Sequence, residues 1–136
     1  MPTAEPGRGS ILRTGSEALL VSYGPVMLHE ALRASELLAE SGTDVAVLNL
    51  PWLNRVDRAW FADLAAPFDD VLVLEDHAPV GALGDVLRRE LDETRITVFG
   101  VEGWPACGTP QEALRFHGLD GESLAERIQL ALGVTR

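Results

Sequence analysis

The chain has 136 residues, which suits one domain with a hydrophobic core, and its formal net charge of −10 argues against a nucleic-acid or anionic-membrane partner. The sequence contains no lysine, so its 11 cationic side chains are all arginine, and mechanisms that need a lysine amine are excluded. The single cysteine, Cys107, excludes an internal disulfide and fits a cytoplasmic protein, and no apolar run has the length of a membrane span.

Short apolar runs alternate with segments of helical periodicity along most of the chain. Residues 1–9 are rich in proline and glycine and are predicted to be a disordered lead-in, followed by one domain over residues 10–136. Strands are predicted at 10–13, 18–23, 45–48, 71–74 and 96–99, and helices at 25–41, 58–66, 81–91, 111–116 and after Asp120. Strands that alternate with crossover helices predict an α/β fold with a parallel sheet covered on both faces.

Four loops follow the predicted parallel strands, at 23–25, 50–52, 75–77 and 101–104. Because the carboxyl ends of parallel strands meet at one edge of a sheet, ligand or partner contacts are expected there. The candidates in these loops, together with the residue expected to cap the second helix, are Gly24, Trp52, Glu75, His77, Trp104 and Asp57.

Glu75, Asp76 and His77 form the most chemically suggestive cluster, because they follow a buried strand and a histidine can titrate near neutral pH. Adjacent carboxylates in an extended segment point to opposite sides, so they form a poor acid/base pair. Two interpretations stay open for the cluster. It is a solvated loop or subunit contact, or His77 is a candidate residue for proton transfer.

Gly81 and Gly84 lie at the start of the third predicted helix. Free N–H groups at a helix start can bind an anion, so the two glycines are candidates for an anion site. The alternative is that small residues allow this helix to pack closely against the sheet.

The remaining aromatic and ligand-type residues carry weaker signals. Trp52 and Trp104 either pack in the ordinary way or act as aromatic anchors at an interface. Cys107 is predicted to be a small buried apolar residue. His29 is predicted to lie exposed on a helix and His117 in a turn, and the spacing of these residues predicts no metal site.

Several segments carry a family resemblance in a fixed order. Residues 31–42 resemble a helix of the form "aleAaelLaeeG", residues 53–57 a turn "lkPlD" in which the usual proline is replaced, and residues 71–84 an element "vvvEeh…gGlg". This order, over residues 9–132, resembles the C-terminal domain of transketolase-like thiamine-diphosphate enzymes. The segment 108–120 is closer to the transketolase and 1-deoxyxylulose-5-phosphate synthase branches than to the 2-oxo acid dehydrogenases.

The resemblance implies a three-layer α/β/α sandwich with a five-stranded mixed sheet, in which the first short strand runs antiparallel to the others. It also implies that other domains hold the cofactor, one the diphosphate and metal, another the pyrimidine. The sequence agrees, because its single Gly-Asp pair, Gly84 and Asp85, is followed by Val86 rather than by the glycine of a Gly-Asp-Gly motif. This chain is therefore expected to bind no cofactor, with thiamine diphosphate and Mg²⁺ held by partner chains.

The resemblance implies a non-catalytic accessory subunit of a split, multi-chain enzyme of the transketolase type, which transfers a two-carbon ketol unit between sugar-like substrates. Its expected partners are the subunits with the diphosphate- and pyrimidine-binding domains, and self-association is a further expectation. Two alternatives stay open. The chain is a domain cut from a longer protein or a subunit that lends His77 to the active site, or it is an independent regulatory or small-anion-binding α/β module.

Overall fold

The computed structural model describes residues 4–90 and 95–133. In chain order the elements are β1 (Ser10–Arg13), β2 (Ala18–Ser22), α1 (Pro25–Glu40), β3 (Val45–Asn49), α2 (Arg58–Ala65), β4 (Asp70–Leu74), α3 (Leu83–Glu90), β5 (Arg95–Phe99), α4 (Pro110–Phe116) and α5 (Gly121–Ala131). The third helix begins two residues later than predicted. Its predicted last residue, Leu91, lies outside the described residues.

The five strands form one sheet in the order β1-β3-β2-β4-β5. Strands β2 to β5 pair in parallel, whereas β1 pairs antiparallel with β3, so that Ser10 lies opposite Asn49. This topology confirms the predicted α/β sandwich, including the antiparallel first strand that the family resemblance implied.

Side chains of the central strands alternate between two apolar clusters, one on each face of the sheet. On β2, Leu20 points to the cluster that α1 and α5 cover, and Leu19 and Val21 point to the cluster that α2 and α3 cover. All five residues of β2 are buried, since this strand lies in the middle of a sheet with two covered faces.

Helix α1 buries the face that its sequence predicts, with Met27, Ala31, Ala34 and Leu38 all at most 1% exposed. Glu30 is also buried, which the apolar periodicity did not indicate. Its Oε2 accepts a hydrogen bond of 2.6 Å from the N–H of Gly121, the first residue of α5. A buried carboxylate on one helix thus caps the start of the helix packed beside it.

The described part of the predicted lead-in, residues 4–9, packs against the loop before α2. The carbonyl of Gly7 accepts a hydrogen bond of 2.9 Å from the N–H of Asp57, and the Asp57 carboxylate pairs with Arg8 at 2.7 Å. Asp57 also caps α2 as predicted, because its Oδ1 accepts from the N–H of Trp60 at 3.1 Å. These contacts join the lead-in to the loop before α2. The division into a disordered lead-in and one domain over residues 10–136 stays a prediction.

Within residues 4–90 and 95–133, the helices include none that combines the length and the apolar character needed to cross a membrane.

Candidate functional site

The parallel arrangement of β2 to β5 brings the loops that follow them to one edge of the sheet, which we call the carboxyl edge. Because β1 is antiparallel, its first residue, Ser10, lies at the same edge beside Asn49. The loops after β4 and β5 are joined by a hydrogen bond of 2.9 Å from the N–H of Val101 to the carbonyl of His77.

Glu75 turns inward at this edge and is fully buried. Its carboxylate accepts hydrogen bonds from the N–H groups of Leu83 at 2.6 Å and Gly84 at 3.4 Å, and from the hydroxyl of Tyr23 at 3.4 Å. It therefore occupies the start of α3, where unpaired N–H groups and the helix dipole favour a negative charge. The sequence interpretation of a solvated loop is wrong for Glu75, whereas its neighbour Asp76 is exposed, as alternation predicts.

Burial shifts the pKa values of Glu75 and of the half-buried Tyr23. Removal from water raises the pKa of the Glu75 carboxyl, although the hydrogen bonds from Leu83 and Gly84 act in the opposite direction. Burial also raises the pKa of the Tyr23 hydroxyl, and the nearby charges of Glu75 and Asp76 raise it further. Tyr23 is thus held as a protonated donor to Glu75.

The candidate anion site at Gly81 and Gly84 is occupied by the chain's own carboxylates. The N–H of Gly81 donates to Asp85 Oδ2 at 2.6 Å, and the N–H groups of Leu83 and Gly84 donate to Glu75. An external anion would have to displace these carboxylates as the hydrogen-bond acceptors. This arrangement argues against the alternative of an independent anion-binding module.

Glycine is required at positions 81 and 84 for two different structural reasons. A Cβ on Gly84 would lie 2.3 Å from Cγ2 of Val98 on β5, so this position allows the close packing of α3 against the sheet. Gly81 has a φ of +74° and open space around it, so its need for glycine comes from the backbone. Close packing, the alternative from the sequence, therefore applies to Gly84.

His77 is exposed at the carboxyl edge. Its Nδ1 lies 2.9 Å from the carbonyl oxygen of Ala78. The His77 ring thus contacts a backbone carbonyl, whereas a carboxylate at this position could have oriented the ring for proton transfer. A role for His77 in proton transfer stays a prediction.

The three tryptophans have different environments. Trp104, in the loop after β5, is 93% exposed, so it does not pack in the ordinary way. Trp60 packs against the apolar cluster beneath α2, with its ring centroid 6.4 Å from that of Phe61. Trp52 is half-buried, and its Nε1 has no hydrogen-bond partner among the residues that the structure describes.

Cys107 is exposed, so the prediction of a buried cysteine is wrong. It lies in the loop between β5 and α4, in which Trp104 is also exposed. The loop is held by His117, the C-cap residue that follows α4, whose Nε2 accepts a hydrogen bond of 3.0 Å from the N–H of Ala106. His29 is exposed on α1 as predicted, and no group of three or more metal-ligand side chains occurs in the described ranges.

Cavities lined by residues that the structure describes open at the carboxyl edge. The first, of about 240 Å³, is mostly apolar and lies between the start of α1, the loop after β5 and α4; Asp76 and His117 supply its polar lining. The second, of about 430 Å³, separates the lead-in from Trp52 and Trp60. The third, of about 250 Å³, lies beside Tyr23 and His77.

Two exposed apolar side chains lie at the carboxyl edge, and one of them, Val26, lines the first cavity. Val26 is 54% exposed at the start of α1, and Val80 is 83% exposed in the loop after β4. Sequence reasoning missed both residues. The available signal was an apolar residue in a segment of turn-forming residues, as with Val80 between Pro79 and Gly81.

Comparisons with known proteins agree with this architecture. The family model described as transketolase, C-terminal domain, matches residues 7–124. Among curated relatives, a 1-deoxy-D-xylulose-5-phosphate synthase from Picosynechococcus sp. is 32% identical over 130 residues, which is 92% of this chain and 20% of that protein. A protein from Methanocaldococcus jannaschii named "Putative transketolase C-terminal section" is 32% identical over 133 residues, 93% of this chain and 40% of that protein.

Solved structures give the same result. A protein described as a split gene transketolase, inactive beta4 tetramer, matches with a TM-score of 0.87 and 29% identity over 98% of this chain and 45% of its own. A transketolase from Pichia stipitis matches with a TM-score of 0.74 and 17% identity over 93% of this chain and 18% of its own, which shows the shared fold.

The fold and the loop arrangement define an α/β/α domain of the kind found at the C-terminus of transketolase-type enzymes. The chain belongs to the transketolase C-terminal domain family. It spans about a fifth of the synthase relative and two fifths of the Methanocaldococcus jannaschii protein.

Proposed function

We propose that this chain is a non-catalytic accessory subunit of a multi-chain, transketolase-type enzyme that moves a two-carbon ketol unit between sugar-like substrates. Its role is to support assembly with the chains that carry the diphosphate- and pyrimidine-binding domains, in a cytoplasmic complex. The observation that carries the proposal is the contrast at the carboxyl edge of this family domain. The acidic group that looks catalytic, Glu75, is used internally, whereas apolar side chains such as Trp104 are displayed.

The start of α3 does not fit the diphosphate of thiamine diphosphate. A diphosphate at this edge would need free N–H groups at a helix start, and those of α3 are bonded to Glu75 and Asp85. We therefore assign thiamine diphosphate and Mg²⁺ to the partner chains.

The residues proposed for partner contact are the exposed candidates of the carboxyl edge: Gly24, His77, Gly81 and Trp104. Val26 and Val80 join them on grounds of exposed apolar area. Asp57, Glu75 and Gly84 act inside the chain, as a helix cap, a buried acceptor and a close-packing position. Trp52 is half-buried beside the second cavity and contributes at the margin of the surface.

The similarity to a protein described as a split gene transketolase supports a multi-chain arrangement, because that description refers to an enzyme encoded in separate pieces. The Methanocaldococcus jannaschii relative, named as a section of a transketolase, supports it in the same way.

The test is to purify the full chain with an affinity tag from its native host and to assay ketol transfer with thiamine diphosphate and Mg²⁺. We expect co-purification of thiamine-diphosphate-binding chains, activity in the complex and none in the chain alone. The Cys107 thiol, which is exposed on the loop beside Trp104, should react more slowly with a thiol reagent in the complex than in the free chain.

Two variants make the test specific. Trp104→Ala should weaken the complex at least tenfold, because exposed aromatic residues are frequent interface anchors. The matched control is Leu130→Ala, which removes a 79% exposed apolar side chain from the end of α5 and should leave the complex unchanged. Recovery of the chain only as a free monomer, or ketol transfer by the chain alone, would overturn the proposal.

A further inference from the structure

The first cavity of the carboxyl edge has the form of a pocket for one side chain. It has a volume of about 240 Å³ and opens beside the Trp104 loop. Nine of its eleven lining residues are apolar, among them Val26, Val101, Ala113 and Leu114. An open apolar pocket beside an exposed aromatic residue resembles the centre of a protein interface, where a few anchoring side chains carry most of the binding energy.

The walls of this cavity are held by hydrogen bonds within the chain. The His117 ring binds the N–H of Ala106, and the N–H of Val101 binds the carbonyl of His77. Thr109 and Glu112 form a capping box at the start of α4, which fixes the third wall. A pocket that is already formed costs little conformational entropy when it is filled.

The charge around the cavity is negative. Asp76 lines it, and the exposed Glu102 lies in the same loop as Val101. In the ranges that the structure describes, no cation pairs with the Asp76 carboxylate. Arg115 of α4 is instead paired with Asp120 and Glu122. Arg127 donates to the backbone carbonyls of His117 and Gly118. A cation on a partner segment would therefore complement an exposed carboxylate that has no ion pair within the described chain.

We propose that this cavity binds one apolar side chain from a partner protein, and that a lysine or arginine of the same segment lies beside Asp76. The inference rests on the proposed function, since it gives the chemistry of the surface that the partner chain presents. The partner segment is therefore apolar and basic, which complements a chain with net charge −10 and no lysine.

The first experiment compares variants of the full chain for binding to the thiamine-diphosphate-binding chains that co-purify with it. Ala113→Trp fills the cavity and should weaken binding at least tenfold, whereas Ala39→Trp places the same side chain at an exposed position near the end of α1 and should have no effect. Val26→Arg, at a rim position that is 54% exposed, should also weaken binding by repelling the partner's cation. Asp76→Asn should weaken binding about threefold to tenfold and reduce its salt dependence, whereas Glu126→Gln on α5 should not.

The second experiment needs no partner chain and uses acetyl-Leu-Arg-amide and acetyl-Leu-Glu-amide as probes of ¹⁵N-labelled protein. We expect the arginine peptide to shift the amide signals of Val101, Ala106 and Ala113 more than the glutamate peptide, and Ala113→Trp to abolish the shifts. Equal shifts with both peptides, or none with either, would overturn the inference.

The outcomes separate this inference from the proposed function. A complex that forms equally well with Ala113→Trp and Val26→Arg overturns the inference and leaves the accessory role in place. Absence of a complex, with the arginine-selective shifts present, overturns the accessory role alone. If the wild-type chain forms a dimer that Ala113→Trp dissociates, the occupant is a second copy of this chain and the basic partner segment is wrong.

Discussion

The loops after β4 and β5 lie side by side at the carboxyl edge but use their side chains in opposite ways. The loop after β4 begins with Glu75, which is fully buried and binds the start of α3. The loop after β5 carries Trp104, which is 93% exposed, and Cys107, which is also exposed. A carboxylate is thus inside the fold and an indole outside it, the reverse of the usual distribution.

The contrast teaches that polarity alone does not identify the functional surface of this domain. The buried carboxylate of Glu75 is tolerated because two backbone N–H groups and a hydroxyl donate hydrogen bonds to it. The buried carboxylate of Glu30 likewise accepts a hydrogen bond from the first N–H of α5. Both carboxylates act as internal anions at helix starts. The apolar groups that have no such internal partner are the ones available for assembly.

The largest effect on stability is expected from Glu75→Ala. Loss of the carboxylate leaves the buried N–H groups of Leu83 and Gly84 without an acceptor, so the free energy of unfolding should fall by about 3 kcal/mol. Urea unfolding followed by circular dichroism measures this change. Asp76→Ala, at the adjacent exposed position, is the control and should change stability by less than about 0.5 kcal/mol. Equal effects of the two substitutions would contradict the internal role of Glu75.

Gly84→Ala should have the next largest effect, a loss of about 2 kcal/mol, because the added methyl group meets the stiff side chain of Val98. Gly81→Ala should cost about 1 kcal/mol through its positive φ alone. A cycle with Val98→Ala distinguishes the two causes, since removal of the valine methyl groups should relieve Gly84→Ala and leave Gly81→Ala unchanged.

The pH dependence of stability gives a smaller but diagnostic effect. A carboxyl whose pKa is higher in the folded than in the unfolded chain binds protons more readily when folded. Its contribution to stability is therefore greatest at low pH and decreases as the pH rises from the unfolded value, about 4.3, through the raised folded value. Wild-type stability should decrease relative to Glu75→Gln over this window. Wild-type stability that instead increases relative to Glu75→Gln as the pH rises through this window would have the wrong sign.

For the loop after β5, we expect almost no effect on folding. Trp104→Ala should change the free energy of unfolding by less than about 0.5 kcal/mol, because the indole has little packing to lose. The same urea titration tests this, and a loss comparable with that of Glu75→Ala would show that Trp104 packs in solution.

The thiol of Cys107 should react stoichiometrically with a disulfide reagent such as dithionitrobenzoate in the native free chain, without prior unfolding. A reaction whose rate follows global unfolding would instead place this residue in the interior. The absorbance of the released thiolate measures the reaction directly.

The sequence alone predicted the elements, their order and the inward face of α1, because buried strands and amphipathic helices leave local periodic patterns. Met27, Ala31, Ala34 and Leu38 follow such a pattern and are all buried. Local capping signals were equally readable, as Asp57 before α2 and Asp120 before α5 show. The antiparallel direction of β1 was predicted only from the family resemblance, because a four-residue edge strand has no sequence pattern that distinguishes parallel from antiparallel pairing.

Only the tertiary structure decided which loop residues are buried. Glu75 and Asp76 are adjacent acidic residues with the same local preferences, yet Glu75 is buried because α3 starts above the end of β4 and supplies N–H groups to it. Cys107 and Trp104 are apolar in character, yet both are exposed in the loop after β5, where no helical or strand periodicity indicates a buried side. Periodicity within one element reports which side faces the core, whereas the environment of a loop depends on elements distant in the chain.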